Sequence, residues 1–305
     1  MSETQRDKTV GVVGVGVMGG GMARNLIDKG FTLSAYDIDT ARLDAIVSHG
    51  ARRAGSAAEV ARQARIQICM VETTEQARSV ILGEGGLTEG MQSGDRVLCC
   101  STITPQVVQE MHAKLAERGV ELLDVPVSGG SVRADNGDLT AIIGGDAAAV
   151  EDVRPVIEAF ASKLFHVGGV GQGLAMKLVN NMMLQITCVA LCEAFVLGAK
   201  AGLDPKVMHE VMRVSTAAST ALDMRAPRFI SGDFSPGGTV DINYKDQQLE
   251  TEFAKSLGVP MLMANVSQQV FQMARAEGLG KLDSAAVIEI YEQMAGVQLG
   301  PRKPR

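Results

Sequence analysis

A short β-branched run, Thr9–Val13, leads directly into Gly14-Val15-Gly16-Val17-Met18-Gly19, and helix formers follow over residues 22–26. Strand, Gly-x-Gly-x-x-Gly and helix in that order restrict the chain to few folds. The first glycine permits a tight turn, the second lets backbone approach a pyrophosphate, and the third lets the helix lie close to the strand. The helix start at Val17 and Met18 then faces the phosphates with its partial positive charge. A second strand, Thr32–Tyr36, closes on Asp37, 23 positions after Gly14. A carboxylate there accepts the ribose 2′-hydroxyl of NAD and repels the 2′-phosphate of NADP, so NAD is the expected cofactor. Asp39 is a second acceptor nearby.

The alternation continues. Helices are predicted over residues 42–48, Ala57–Gln63, 105–119 and 147–160. Strands are predicted over residues 66–71, 96–100, 121–125, Leu139–Gly144 and 164–167. Strand-helix alternation with short connections implies an α/β fold, a Rossmann doubly wound parallel sheet with helices on both faces. Ligands in such sheets sit outside the carboxyl ends of the strands. Thr73-Thr74, Ser101-Thr102 and Ser128-Gly129-Gly130 each follow a strand's end, so three hydroxyl-bearing loops are expected to line one crevice. Thr73 is expected among the cofactor contacts. Two glycines after Ser128 expose backbone N–H groups beside a hydroxyl, a small anion nest suited to a carboxylate. A nucleophilic Ser128 would call for a Gly-x-Ser-x-Gly elbow, and the sequence has none there.

A long helix is predicted over residues 171–202. Lys177 and Asn181 are four apart and so share one face, an ammonium and an amide aimed at one spot. Beyond them Met182, Met183, Leu184, Ile186, Val189, Leu191, Phe195 and Leu197 surround the axis, which predicts a spine buried on nearly all sides. Gln185 and Glu193 interrupt that run, which argues against a membrane span. A length of 305 residues predicts two domains, a dinucleotide-binding domain over 1–168 and an all-α domain over 169–305 that begins with the long helix. Asp204-Pro205 starts a new helix as N-cap and first helical residue. Further helices are predicted over 205–214, 219–229, 246–258, 261–277 and 284–295, with a loop at 231–238 and a frayed tail at 302–305. Lys plus Arg at 29 against Asp plus Glu at 35, with no basic run in the body of the chain, excludes nucleic acid as an expected partner. Five cysteines without a Cys-x-x-Cys pair, and four scattered histidines, give no metal spacing and suit a reducing cytosol. Cys188 and Cys192 are read as packing residues. The first eight residues lack an apolar signal core, so a cytoplasmic protein is expected.

With these pieces placed, the chain resembles the β-hydroxyacid dehydrogenase family. The resemblance rests on Gly14-x-Gly16-x-Met18-Gly19 with Met22-Ala23-x-Asn25-Leu26, on Ser101-Thr102-Ile103-x-Pro105, and on Asp124-x-Pro126-Val127-Ser128-Gly129-Gly130. It rests also on Gly173-x-x-x-Lys177-x-x-Asn180-Asn181 and on Lys245-Asp246. It implies hydride transfer between NAD and a small 3-hydroxy acid of the 3-hydroxyisobutyrate kind. Lys177 would be the acid/base residue and Asn181 would orient the substrate, whose carboxylate Ser128, Gly129 and Gly130 would hold. Thr102 would lie by the nicotinamide, and Lys245 would reach the cofactor. A homodimer or homotetramer through the helical domain is expected. A lysine base must be neutral, and a free lysine titrates near pH 10.4, so burial must lower that value. The chain departs from the family pattern at Val71-Glu72, Gln247-Gln248 and Val132-Arg133. Arg133 would either meet a second polar group of the substrate or pair with Asp135 or Asp138. The alternatives are an NADPH-linked semialdehyde or imine reductase, against which Asp37 and Lys177 argue, and a silent dinucleotide sensor.

Overall fold

The computed structural model describes Arg6 and residues 8–301, so the tail expected at 302–305 and most of the N-terminal segment lie outside the described residues. The chain divides into two compact units, Met1–Lys177 and Leu178–Arg305. In the first, β1 (Thr9–Val13), β2 (Thr32–Tyr36), β3 (Arg52–Arg53), β4 (Ile66–Cys69), β5 (Arg96–Cys99), β6 (Glu121–Asp124), β7 (Val127–Ser128), β8 (Leu139–Gly144) and β9 (Ala161–Gly168) form one sheet. Its order is 3-2-1-4-5-6-8-7, with β9 on β8. Helices α1 (Val17–Asp28), α2 (Thr40–Ser48), α3 (Ala57–Gln63), α4 (Thr74–Leu82), α5 (Pro105–Ala116), α6 (Gly130–Asp135) and α7 (Ala147–Ile157) cover it. Side chains alternate across a strand, so Val12 packs with Met22, Leu26 and Leu33 on one face while Val13 packs with Val60, Ile81 and Leu115 on the other.

Strands β1 to β6 pair in parallel as expected. Beyond them the predominantly parallel sheet has one antiparallel excursion, because β8 runs antiparallel to both β6 and β7 and parallel to β9. The pairs Asp124↔Gly144, Val127↔Ala141 and Ser128↔Thr140 share one register, and the Ile142 N–H donates to the Pro126 carbonyl between them. β6 and β7 are thus one edge interrupted at Val125-Pro126. The stretch from Ser128 to Leu139 is too short for a parallel crossover, which takes about a dozen residues or more, so the chain turns back instead.

Helix α8 (Gln172–Lys200) leads into the second unit, where α9 (Pro205–Arg213), α10 (Thr220–Ser231), α11 (Val240–Ser256), α12 (Leu262–Ala276) and α13 (Ile288–Ala295) follow. Val189, Cys192 and Phe195 of α8 pack with Phe229, Phe271 and Ile288, and the Phe195 and Phe229 rings meet edge-on at 5.6 Å. By length and composition α8 could cross a membrane, with a mean hydropathy of 1.8. Its buried apolar side chains nonetheless belong to these protein cores. The expectation of burial on nearly all sides is corrected: Met176, Val179, Met183 and Leu197 are exposed. Helix α11 starts at Val240, capped by the Thr239 hydroxyl, so Lys245 and Asp246 lie inside it and not at its start as expected.

Candidate active site

The glycine turn is fixed by the fold at two of its three glycines. Gly14 has φ +90° and donates to the Tyr36 carbonyl at 3.0 Å, and a Cβ there would collide with the Met70 carbonyl. A Cβ on Gly19 would collide with the Gly14 carbonyl. Gly16 is different, since a Cβ there would meet only the tip of Arg42 at 3.2 Å. The fold leaves that position open, as a close-approaching pyrophosphate requires. Gly16 also caps α1 without a side chain, so the N–H groups of the first turn, including those of Val17 and Met18, have no side-chain acceptor there. Asp37 accepts the Val15 N–H at 2.7 Å and the Asp39 N–H at 2.8 Å. A carboxylate has about four acceptor positions, so Asp37 retains capacity for ribose hydroxyls. Asp39 caps α2 through Ala41 and Arg42 and is engaged there. These residues fit a dinucleotide.

The hydroxyl-bearing loops divide by use. Thr73 is the N-cap of α4, in a reciprocal capping box with Gln76. Ser101 is buried and accepts the Val71 N–H at 2.8 Å, tying the end of β5 to that of β4. Thr102 follows it, half-buried. Ser128 ends β7 half-buried, and Gly129 and Gly130 have φ of +142° and +74°, which L side chains rarely adopt. The short α6 that follows is locked onto α1. A Cβ on Gly21 would lie 2.8 Å from the Ala134 carbonyl carbon, and Asn25 Nδ2 reaches the Ala134 and Asp135 carbonyls at 2.9 and 3.1 Å. The turn that follows Ser128-Gly129-Gly130 and helix α1 therefore share one seam. Arg133 pairs with Asp138 at 3.1 Å on the surface, and the Ser162 hydroxyl and Arg133 hold the Asp138 carboxyl below its usual range.

Lys177 closes the first unit and is buried, 8% exposed, on the second turn of α8. The opening turn of that helix is held by Asp124, which accepts the Gly171 and Leu174 N–H groups at 2.7 Å each. Burial pushes the Asp124 carboxyl up to about 6, against the pull of those backbone donors. In the second unit Asn181 donates through Nδ2 to Asp246 Oδ2 at 2.8 Å, and Lys245 pairs with Asp246 Oδ1 at 3.0 Å. A carboxylate only accepts, so the Asn181 amide is turned with its nitrogen toward Asp246 and its oxygen away. Gln185, a turn further, donates to the Asn243 carbonyl at 3.2 Å. Lys177, Asn181 and Gln185, four residues apart in turn, thus form one polar row along α8. Sequence reasoning missed Asp124, Asp246, Gln185 and Asn25 as supports. A groove of about 300 Å³ lies at the amino ends of β5 and β6, the opposite end of the sheet, and its Asp152 is already paired with Arg65 and Arg96.

A sheet of this order and a glycine turn closed by an acid at the end of β2 define a dinucleotide-binding protein of the Rossmann class, here continued by an all-α unit. Residues 9–168 match the family described as the NAD binding domain of 6-phosphogluconate dehydrogenase. Residues 171–291 match the one described as NAD-binding of NADP-dependent 3-hydroxyisobutyrate dehydrogenase. The chain is 36% identical to 2-(hydroxymethyl)glutarate dehydrogenase of Eubacterium barkeri, over 95% of this chain and 97% of that one. It is 33% identical to NAD-dependent L-serine dehydrogenase of Pseudomonas aeruginosa, over 95% and 99%. The solved structure of 3-hydroxyisobutyrate dehydrogenase from Salmonella typhimurium superposes with a TM-score of 0.83 at 32% identity, covering 93% of this chain and 100% of that one. The chain belongs to the β-hydroxyacid dehydrogenase family, and it is an NAD(P)-dependent 3-hydroxyacid dehydrogenase.

Proposed function

We propose that this enzyme oxidises a small 3-hydroxy acid with NAD, using Lys177 as the general acid/base. The observation that carries the reading is Lys177 itself. Lysines are seldom buried, and this one lies within the first turns of α8 with Asn181 one turn on, at the spacing that sets both on one helix face. NAD, when bound, accepts the hydride from the carbinol carbon. Lys177 Nζ takes the hydroxyl proton, and Asn181, its amide set by Asp246, orients that hydroxyl. Ser128 with the Gly129 and Gly130 N–H groups holds the carboxylate. Gly14, Gly16, Val17, Met18 and Gly19 cradle the pyrophosphate, and Asp37 takes the ribose. Thr73 and Thr102 border the cofactor, and Lys245, steadied by Asp246, reaches it from α11.

The relatives' names supply 3-hydroxyisobutyrate, L-serine and 2-(hydroxymethyl)glutarate for the panel that tests this, and 3-hydroxypropionate is added as a simple 3-hydroxy acid, each with NAD and with NADP, followed at 340 nm. Turnover of one or more with NAD is expected. No turnover of any sinks the substrate class. One observation favours NADP as a second reading, the Arg42 guanidinium beside Gly16, although it already pairs with Asp39 at 3.2 Å. A rate with NADP above that with NAD would decide for it. Five free, buried cysteines support a cytoplasmic setting, and exposed apolar side chains on the helical unit support a homo-oligomer.

A further inference from the structure

We infer that Asp124 is a positioning residue for Lys177, an inference that rests on the reading of Lys177 as the acid/base group. Asp124 ends β6 and has no exposed surface. Its Oδ1 accepts from the Gly171 N–H and its Oδ2 from the Leu174 N–H, both at 2.7 Å. Those N–H groups open α8, where no earlier carbonyl of the helix reaches them. Gly171, with φ +93°, has no side chain to cap the helix, and a carboxylate 47 residues away does so. One rigid carboxylate gripping two residues almost a turn apart fixes the helix in rotation as well as in depth.

Sterics press the same turn home. A Cβ on Gly173 would stand 2.7–2.8 Å from the Ile142 carbonyl, the Asp124 carbonyl and the Gly144 nitrogen, and a Cβ on Gly144 would strike Asp124 Oδ1. The helix start therefore lies backbone to backbone on the strand ends. Lys177 follows Gly173 by four residues, on the same face one turn along, so any slip or rotation of the opening turn is carried to Nζ. Capping alone does not account for a buried carboxylate, since a serine or threonine hydroxyl caps a helix without the cost of desolvating a charge. What the carboxylate adds is a two-point grip.

The test is a double-mutant cycle of Asp124→Asn with Lys177→Ala on the panel acid turned over fastest. Asn keeps the shape but supplies one acceptor oxygen, and its NH₂ faces the other N–H. In the native background Asp124→Asn is expected to lower kcat by about tenfold or more, because small misplacements of a catalytic group cost that much. Binding measured by NADH fluorescence is expected to stay within about twofold, and in the Lys177→Ala background the same substitution should change the residual rate by less than about twofold. An equal loss in both backgrounds, or no loss in the native one, overturns the inference. Gly173→Ala displaces the same turn with the carboxylate intact, so it serves if Asp124→Asn does not fold, and must show the same non-additivity. A ¹³C resonance of the methylated Lys177 amine, assigned by its loss in Lys177→Arg, reads the coupling without turnover. Either variant must move it. If Lys177→Ala turns over normally the acid/base reading fails, yet a moved resonance upholds the positioning and an unmoved one overturns it.

Discussion

At the scale of the residue, Lys177 and Asp37 carry the sharpest predictions. Lys177→Ala should lower kcat by about a hundredfold or more, because a positioned acid/base group is worth about 10²–10⁴, while NADH binding persists. A variant with near-normal kcat would remove Lys177 from the chemistry. Asp37 should give at least a tenfold preference for NAD, about 1.4 kcal/mol, by a hydrogen bond to one cofactor and a charge clash with the other. Asp37→Ala should shrink that ratio, and equal use of both cofactors by the unmodified enzyme refutes the assignment. Which residues were legible in the sequence follows from physics. Gly14, Gly19, Gly129 and Gly130 mark backbone that a side chain would block or strain, and Lys177 with Asn181 is a local spacing, so one chain position announces the next. The supports were not legible. Asp124, Asp246 and Asn25 bond to groups 47, 65 and 109 residues away, and spacing along the chain says nothing of such partners.

At the scale of the element, strands with β-branched or apolar runs were placed to within a few residues, whereas β3 and β7, two residues each, are too short for any period to show. Helix α4 carries a sequence signal of its own, the Thr73-x-x-Gln76 capping box, which makes Thr73 a helix cap as well as a loop hydroxyl. Thr73→Ala should therefore cost about 1 kcal/mol of stability as a lost cap. If Thr73 also contacts the cofactor, the NADH dissociation constant will rise with it, and if it is a cap alone that constant will hold. The joint between β6 and α8 carries a pH prediction. Asp124 in the folded chain titrates at about 6 against an ordinary 3.8, so below pH 6 the folded state holds a proton the unfolded state has not yet taken. Its contribution to stability thus falls as pH rises from about 4 to 6, by about 3 kcal/mol at 1.36 kcal/mol per pH unit. Cys99, its neighbour across the β5–β6 ladder, stays neutral over that window because burial raises its thiol well above the ordinary value. Asp124→Asn has no such titration. The stability advantage of the native protein over the variant should accordingly widen between pH 7 and pH 5, read by thermal unfolding, and a constant gap would show that Asp124 is not the group responsible.

At the scale of the whole molecule, the two-domain plan was legible because alternating strands and helices give way to helices alone, but the surface of the helical unit was not. Helical spacing does not by itself tell a core face from an exposed one, and many apolar residues of this unit face outward. Helix α9 buries none of its residues, and Val207 and Val211, one turn apart on it, are exposed together with Leu203 and Val214 just outside its ends. Leu262, Met263 and Val266 at the start of α12 are likewise exposed. Single exposed apolar side chains are ordinary, but rows at helical spacing on two helices are what monomers rarely leave in water. A second copy of the same chain is the simplest cover, since most oligomers are closed and symmetric and use one patch on both subunits. Sedimentation at micromolar concentration should therefore find a dimer or tetramer. Val207→Glu with Val211→Glu, which sets two charges into the α9 row without touching a buried position, should shift the protein to a smaller species, and Leu262→Glu should do the same if α12 shares the contact. Thermal unfolding of the unmodified protein should rise with protein concentration, as it does when association stabilises the fold. A single monomeric species with a concentration-independent midpoint would mean that these rows stay in water.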